Sequence, residues 1–294
     1  MLLVKHLCKS FTNVQAVQDI SFHITKGSTF ALLGTNGAGK STVIHMITGL
    51  LKPDQGDIQF LEEEAQDAVG VVFQSHRLDN ELTIEENLML RAKLHQIKRK
   101  KAQKQIAQLL ELTGLADKRK RLYGKCSGGE KRKTDLIRAL LHEPKFLILD
   151  EPTTGLDAES REEIWLFLNK LQKEKGLTIL LTTHYIEEAE EVDYVLIMHE
   201  GKIEVEGTPR ELKERYAQTS LHLEPLEVNR VIEKLVAGGY PFQIEDKLLV
   251  LPLEKTTDAI PILKEVEASI QNFSIGRSSL EQVFLSVTKQ IKRR

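Results

Sequence analysis

The chain has 294 residues, 41% of them hydrophobic and 29% charged, with a formal net charge of −2. That length holds one large domain or two smaller ones with buried cores. The charge balance excludes a global pull toward nucleic acid or anionic lipid, and no apolar run approaches the ~18 residues of a spanning helix. The N-terminal Met1-Leu2-Leu3-Val4-Lys5-His6 lacks the layout of a secretory signal. Cys8 and Cys126 make no spaced metal or redox pair, so a reducing compartment is expected.

In chain order, residues 1–27 alternate apolar and polar positions, as in Ala16-Val17-Gln18-Asp19-Ile20, and predict an antiparallel β piece. Residues 28–33 read as a buried strand and 42–48 as a helix. Between them lies Gly34-Thr35-Asn36-Gly37-Ala38-Gly39-Lys40-Ser41, which is G-x-x-x-x-G-K-[ST] between a strand and a helix, the context that gives the motif its meaning. Glycines let the backbone turn its N–H groups inward around phosphates, and the helix N-terminus adds partial positive charge. Lys40 is placed to reach the β- and γ-phosphates and Ser41 to ligate Mg²⁺.

Pro53 to Asp57 predicts a turn, residues 57–60 a short strand, Glu62-Glu63-Glu64 a solvated loop and residues 69–73 a second buried strand. Thr83-Ile84-Glu85-Glu86 is a capping box that opens a helix through Leu94. Apolar spacing of three and four continues over 102–112. Strands follow at 146–149 and 177–182 around an amphipathic helix over 158–173, then a hairpin across His199-Glu200-Gly201. Apolar strands separated by helices predict an α/β layer fold with a largely parallel sheet. Past Tyr216 the pattern changes to strands near 220–225, 242–246, 248–252 and 271–275, interleaved with helices, and Glu245-Asp246-Lys247 turns between the middle pair. That βαββαβ order predicts a small ferredoxin-like α+β domain over 217–294. The basic runs Lys98-Arg99-Lys100-Lys101, Lys118-Arg119-Lys120-Arg121 and Lys292-Arg293-Arg294 read as solvated faces, because aromatics do not interleave with them.

Further landmarks follow the glycine loop in order: Gln74 at a strand end, Cys126-Ser127-Gly128-Gly129-Glu130 before a helix, and the apolar strand Phe146-Leu147-Ile148-Leu149 ending in Asp150-Glu151-Pro152. Gly155-Leu156-Asp157 and Thr182-Thr183-His184 complete them. The set over residues 1–216 resembles the ATP-binding subunit of ABC transporters, a P-loop cassette with a mostly parallel sheet, an antiparallel β subdomain and a helical subdomain near 75–140. The resemblance implies ATP and Mg²⁺ as cofactors. It implies ATP binding by Phe11, which would stack on adenine, and by Gly34, Thr35, Asn36, Gly37, Ala38, Gly39, Lys40, Ser41 and Thr42. Mg²⁺ would be held by Ser41, Gln74 and Asp150. Catalysis would rest on Glu151 as general base, His184 as the switch histidine and Gln74 as the sensor of water and membrane partner. Ser127, Gly128, Gly129 and Glu130 would act in trans on nucleotide held by a second subunit, with Asp157 at the dimer seam.

The family's LSGGQ stands here as Cys126-Ser127-Gly128-Gly129-Glu130. The Glu130 charge is expected to oppose closure on nucleotide, and Cys126 to pack as a small hydrophobe. Ser278-Ser279-Leu280-Glu281-Gln282-Val283-Phe284 and Gly207-Thr208-Pro209-Arg210-Glu211-Leu212 resemble the tail and core end of drug-resistance and daunorubicin-like members, which pair with a separate permease. The implied protein is a peripheral ATPase subunit on the cytoplasmic face of the cell membrane. It would form a homodimer or paired cassette, power export, and bind no nucleic acid. The competing reading, a soluble ABC-type ATPase of nucleic acid or ribosomes, is disfavoured because one cassette is present and no long heptad run interrupts it.

Overall fold

A computed structural model describes residues 1–61, 69–217, 219–245, 248–276 and 279–291. Glu62, Glu63 and Glu64, the turn residues Asp246 and Lys247, Ser278 and the basic tail 292–294 lie outside the described residues. The chain divides into two compact units, Met1–Glu206 and Gly207–Arg294.

The first unit runs β1 (Leu2–Phe11), β2 (Val14–Ile24), β3 (Thr29–Leu33), α1 (Lys40–Ile47), β4 (Gln55–Phe60), β5 (Val69–Val72), α2 (Ile84–Leu94) and α3 (Arg99–Leu112). It continues α4 (Gly128–Leu140), β6 (Phe146–Asp150), α5 (Ala158–Lys175), β7 (Thr178–Thr183), α6 (Ile186–Glu190), β8 (Tyr194–His199) and β9 (Lys202–Gly207). The main sheet has the order β5-β6-β7-β3-β8-β9. β5, β6, β7, β3 and β8 pair in parallel. Every residue of β3, β6 and β7 is buried, as expected of parallel strands covered on both faces. Register aligns their carboxyl ends, pairing Leu33 with Thr183 and Asp150 with Thr182. Crevices at such strand ends are where open α/β sheets bind ligands.

A second sheet, β2-β1-β4, is antiparallel. It is irregular: register shifts interrupt β1, and His6 and Asp19, which share a 2.8 Å contact, both take positive φ. The fourth strand begins at Gln55, inside the expected turn, because Cys8 pairs with Gln55 beyond a register shift. Gly56 supplies the positive φ of 89° that this irregular start needs. The capping box is formed: Thr83 Oγ1 accepts from the Glu86 N–H, and the Glu86 carboxylate accepts from the Thr83 N–H. Helix α5 stops at Gly176 in the left-handed conformation.

The second unit runs α7 (Pro209–Tyr216), β10 (Thr219–Pro225), α8 (Val228–Ala237), β11 (Gln243–Glu245), β12 (Leu248–Leu253), α9 (Ala259–Val266), β13 (Ile270–Gly276) and α10 (Leu280–Ile291). Its antiparallel sheet has the order β11-β12-β10-β13. Leu221, Leu223, Leu249 and Leu251 from the sheet pack with Val231, Leu235 and Ile262 from α8 and α9. Helix α7 packs against α10.

Phe146 is fully buried and meets Phe60 edge-on at a centroid separation of 6.1 Å. Truncation by Phe146→Ala is expected to cost about 3–5 kcal/mol, read as a lower urea midpoint for the first unit's transition. An unchanged midpoint would show that this ring does not carry the packing.

Candidate active site

The glycine loop leaves β3 at Gly34 and enters α1 at Lys40. Gly34 N–H donates to Thr183 O at 3.3 Å, which ties the loop to the end of β7. Thr35, Asn36 and Gly37 form an exposed crest, Ala38 is buried, and Ser41 and Thr42 are half-buried on the first turn of α1. Gly39 caps α1 with φ 101° and offers no side-chain cap to the first-turn N–H groups. A Cβ at Gly39 would collide with the Ala16 carbonyl of β2, so only glycine fits there. Lys40 is buried and donates to Gly34 O at 2.7 Å and Thr35 O at 3.0 Å. Burial lowers its pKa, and the charges of Glu151 and Asp150 oppose that shift.

Asp150 ends β6 beside α1: Ser41 Oγ donates to its Oδ1 at 3.0 Å, and Thr182 Oγ1 to the same oxygen at 2.7 Å. Thr182 Oγ1 also accepts the Glu151 N–H at 3.0 Å. Glu151 is buried, with a left-handed φ of 47°, a strained conformation for a non-glycine residue. Its carboxylate gathers the other expected residues. Gln74 Nε2 donates to Oε2 at 3.2 Å, and Thr154 Oγ1 to the same oxygen at 3.0 Å. His184 Nδ1 lies 3.4 Å and Lys40 Nζ 4.0 Å from Oε1. The His184 contact is an ion-pair distance without hydrogen-bond geometry, since Nδ1 has no hydrogen-bond partner.

The site thus brings Lys40, Ser41, Gln74, Asp150, Glu151 and His184 together. Phe11 lies apart from that group at the end of β1, 46% exposed, with Lys9 Nζ 5.7 Å from its ring centroid. Ser127, Gly128, Gly129 and Glu130 form a separate cluster at the N-terminus of α4. Ser127 caps the helix, accepting from the Glu130 N–H at 3.2 Å, while Glu130 Oε2 accepts from the Ser127 N–H at 2.9 Å. A Cβ on Gly129 would strike Ser160 of α5, so the two helices approach closely there. Asp157 is exposed and caps α5, accepting from the Ser160 N–H at 2.8 Å.

Two details refine the sequence expectations here. The basic run 118–121 is exposed, as expected of a solvated face, and Lys118 Nζ at 2.8 Å and Arg121 at 3.3 Å from Glu130 Oε1 give the Glu130 charge counter-ions. Burial raises the Glu130 pKa, but the Lys118 and Ser127 hydrogen bonds outweigh it and hold the carboxyl below its ordinary range. Cys126 is buried, as a packed residue should be, and burial raises its thiol pKa. Residues given no role in the sequence also matter: Thr182 bridges Asp150 and Glu151, and Arg132 donates to the carbonyls of Phe73, Gln74 and Glu151. The register of Thr182 beside Asp150 was available in principle from the aligned strands; nothing local marked Arg132.

A family model described as ABC transporter matches residues 17–154. The daunorubicin/doxorubicin resistance ATP-binding protein DrrA of Streptomyces peucetius is 32% identical over 96% of this chain and 90% of its own length. The Nod factor export ATP-binding protein I of Rhizobium johnstonii is 36% identical over 95% of this chain and 92% of its own. Among solved structures, the dimeric post-hydrolysis state of the ATP-binding cassette MJ0796 with ADP and Pi superposes with a TM-score of 0.63. It is 26% identical and covers 71% of this chain and 98% of that one. With the loop, the paired acids and the signature helix in one fold, the chain belongs to the ABC transporter family, as an ATP-binding subunit that hydrolyses ATP.

Proposed function

We propose that two copies of this chain, or this chain and a paired cassette, close head to tail on two ATP molecules and so drive export through a separate integral-membrane permease. The observation that carries this reading is the convergence of Gln74, Lys40 and His184 on the Glu151 carboxylate beside the Ser41–Asp150 pair. The similarity to a cassette whose solved form is dimeric supports the two-copy arrangement. The names of the relatives from S. peucetius and R. johnstonii support export. The same reading puts the subunit at the cytoplasmic face of the membrane beside a spanning partner; no helix of the described residues is long and apolar enough to cross a membrane.

In this reading Gly34 to Thr42 cradle the phosphates, with Lys40 turning from the loop carbonyls to the β- and γ-phosphates. Phe11 offers its exposed face to adenine. The donor set for Mg²⁺ is the Ser41 hydroxyl, the Gln74 amide oxygen and Asp150, hard oxygen ligands with one carboxylate, which suits a small cation that shares its shell with phosphate and water. Bound there, Mg²⁺ would offset charge on the β- and γ-phosphates. Glu151 accepts a proton from the attacking water, and His184 and Gln74 orient it. Ser127, Gly128 and Gly129 of one copy close over the nucleotide of the other, with Asp157 at the seam. ATP drives closure only through its greater affinity for the closed pair. The C-terminal unit serves as an accessory or regulatory domain of ferredoxin-like type. Its strand order, with β12 between β11 and β10 and β10 between β12 and β13, supports that reading.

The test is Glu151→Gln in the full chain. ATP affinity should hold, turnover should fall about 10²–10⁴-fold, and an ATP-dependent dimer should accumulate on size exclusion. Turnover at the wild-type rate would end the general-base assignment. Lys40→Ala should abolish tight ATP binding in a fluorescent-nucleotide titration; unchanged affinity would remove Lys40 from the site. Glu130→Gln keeps an acceptor for the helix cap but frees Lys118 and Arg121 beside the partner's phosphates. It should lower the ATP needed for half-maximal dimerisation about fivefold, the scale of ~1 kcal/mol of surface charge interaction. Unchanged or weaker dimerisation would show that this charge cluster does not act on nucleotide.

A further inference from the structure

Two residues beyond Gln74, the chain makes a second attachment to the signature helix. His76 Nδ1 donates to Asp135 Oδ2 at 2.7 Å. Asp135 is 2% exposed and lies on α4, about two turns after Ser127. The same Oδ2 accepts from the Tyr123 hydroxyl at 3.3 Å. Tyr123 is itself buried in the 3-10 turn Tyr123–Lys125 that leads into Cys126 and Ser127, and burial followed by the Asp135 charge raises its pKa and keeps the phenol a donor. The His76 and Tyr123 rings meet edge-on at 6.4 Å. One carboxylate therefore touches both the segment after Gln74 and the segment before Ser127.

Asp135 shares its helix face with two buried arginines whose charges it favours, yet its hydrogen bonds run elsewhere. Arg132 and Arg138, one turn to either side on the same helix face, spend their guanidinium groups on main-chain carbonyls of Val71, Phe73, Gln74 and Glu151. They already tie the strand end to α4. Asp135 Oδ1 is buried without a hydrogen-bond partner, and although its charge favours those of Arg132 and Arg138, its hydrogen bonds go only to His76 and Tyr123. Its specific bond is to a side chain that is about one-third exposed, at the rim of the site.

We propose that His76 and Asp135 form a latch of positioning residues that fixes the segment after Gln74 to the signature helix. Movement of Gln74 toward nucleotide in one half-site then carries Ser127, Gly128 and Gly129 toward the other. The latch touches neither ATP nor the reacting atoms. It determines whether binding at the glycine loop is transmitted to the surface that closes on the second copy. This rests on the two-copy reading above.

The experiment uses the full chain with ATP and Mg²⁺, and compares His76→Ala with His76→Asn, whose amide nitrogen can take the place of Nδ1. Each is made in the native sequence and in the Glu151→Gln background. His76→Ala should leave ATP affinity and thermal midpoint near those of the native chain, lower kcat about tenfold or more, and raise the ATP required for dimerisation by a similar factor, the scale of one lost hydrogen bond to a charged group. His76→Asn should recover most of both. The latch is overturned if His76→Ala keeps native kcat and dimerisation. It is equally overturned if His76→Ala loses ATP affinity and stability together, or if His76→Asn fails to restore function. If the Glu151→Gln chain with His76 intact does not dimerise on ATP, the two-copy reading falls and the latch falls with it. Dimerisation of Glu151→Gln with no effect of His76→Ala sinks the latch alone.

Discussion

A carboxylate taken out of water needs donors, and the site is built around how Glu151 obtains them. Its neighbours come from four separate pieces of chain: Gln74 after β5, Lys40 at the start of α1, Thr154 three residues on, and His184 after β7. Those pieces meet because parallel register brings the carboxyl ends of β3, β6 and β7 level. The left-handed φ of Glu151 turns the chain away from the strand at the residue where the carboxylate must face the loop. Thr182 and Arg132 hold the main chain in that conformation from opposite sides, through the N–H and the carbonyl. The strain is thus sustained by hydrogen bonds already in place, as is usual where backbone geometry serves chemistry.

The signature end of α4 solves a different electrostatic problem. A helix N-terminus favours negative charge, and Glu130 supplies it within the helix through the capping box. A bare carboxylate there would compete with phosphate for the same partial charges. Lys118 and Arg121 oppose that competition by pairing with Glu130. The departure from the family's glutamine is therefore accompanied by its own compensation, carried by a basic run that looks like surface decoration in the sequence.

Local rules made much of this architecture legible. The glycine loop, the Thr83 capping box and the buried strand triplets each depend on neighbours within a few residues, and all formed where the pattern placed them. The features that were not legible join distant positions. His76 and Asp135 are separated by 59 residues, and neither sits in a patterned run. Gly39 could be read as a phosphate-loop glycine, but the close approach of Ala16 O comes from a strand of the other sheet. The early start of β4 follows from a register shift near Cys8, which alternation of apolar residues does not encode. Pairing partners are set by tertiary packing, so single-sequence periodicity identifies elements better than it identifies what they touch.

Arg132 bonds to this site entirely through the main chain, taking the carbonyls of Phe73, Gln74 and Glu151. A guanidinium that recognises peptide groups makes no hydrogen bond to the side chains those peptides carry, although the charges of Asp150 and Glu151 favour its own. At these positions the main chain is held by Arg132, while the side chains of Gln74 and Glu151 are left to bond each other. Loss of Arg132 would take a donor from three carbonyls at once, and Glu151 O would keep only the 3.4 Å bond from the Thr154 N–H. The reacting groups are in this way presented by a side chain that makes no hydrogen bond to either of them.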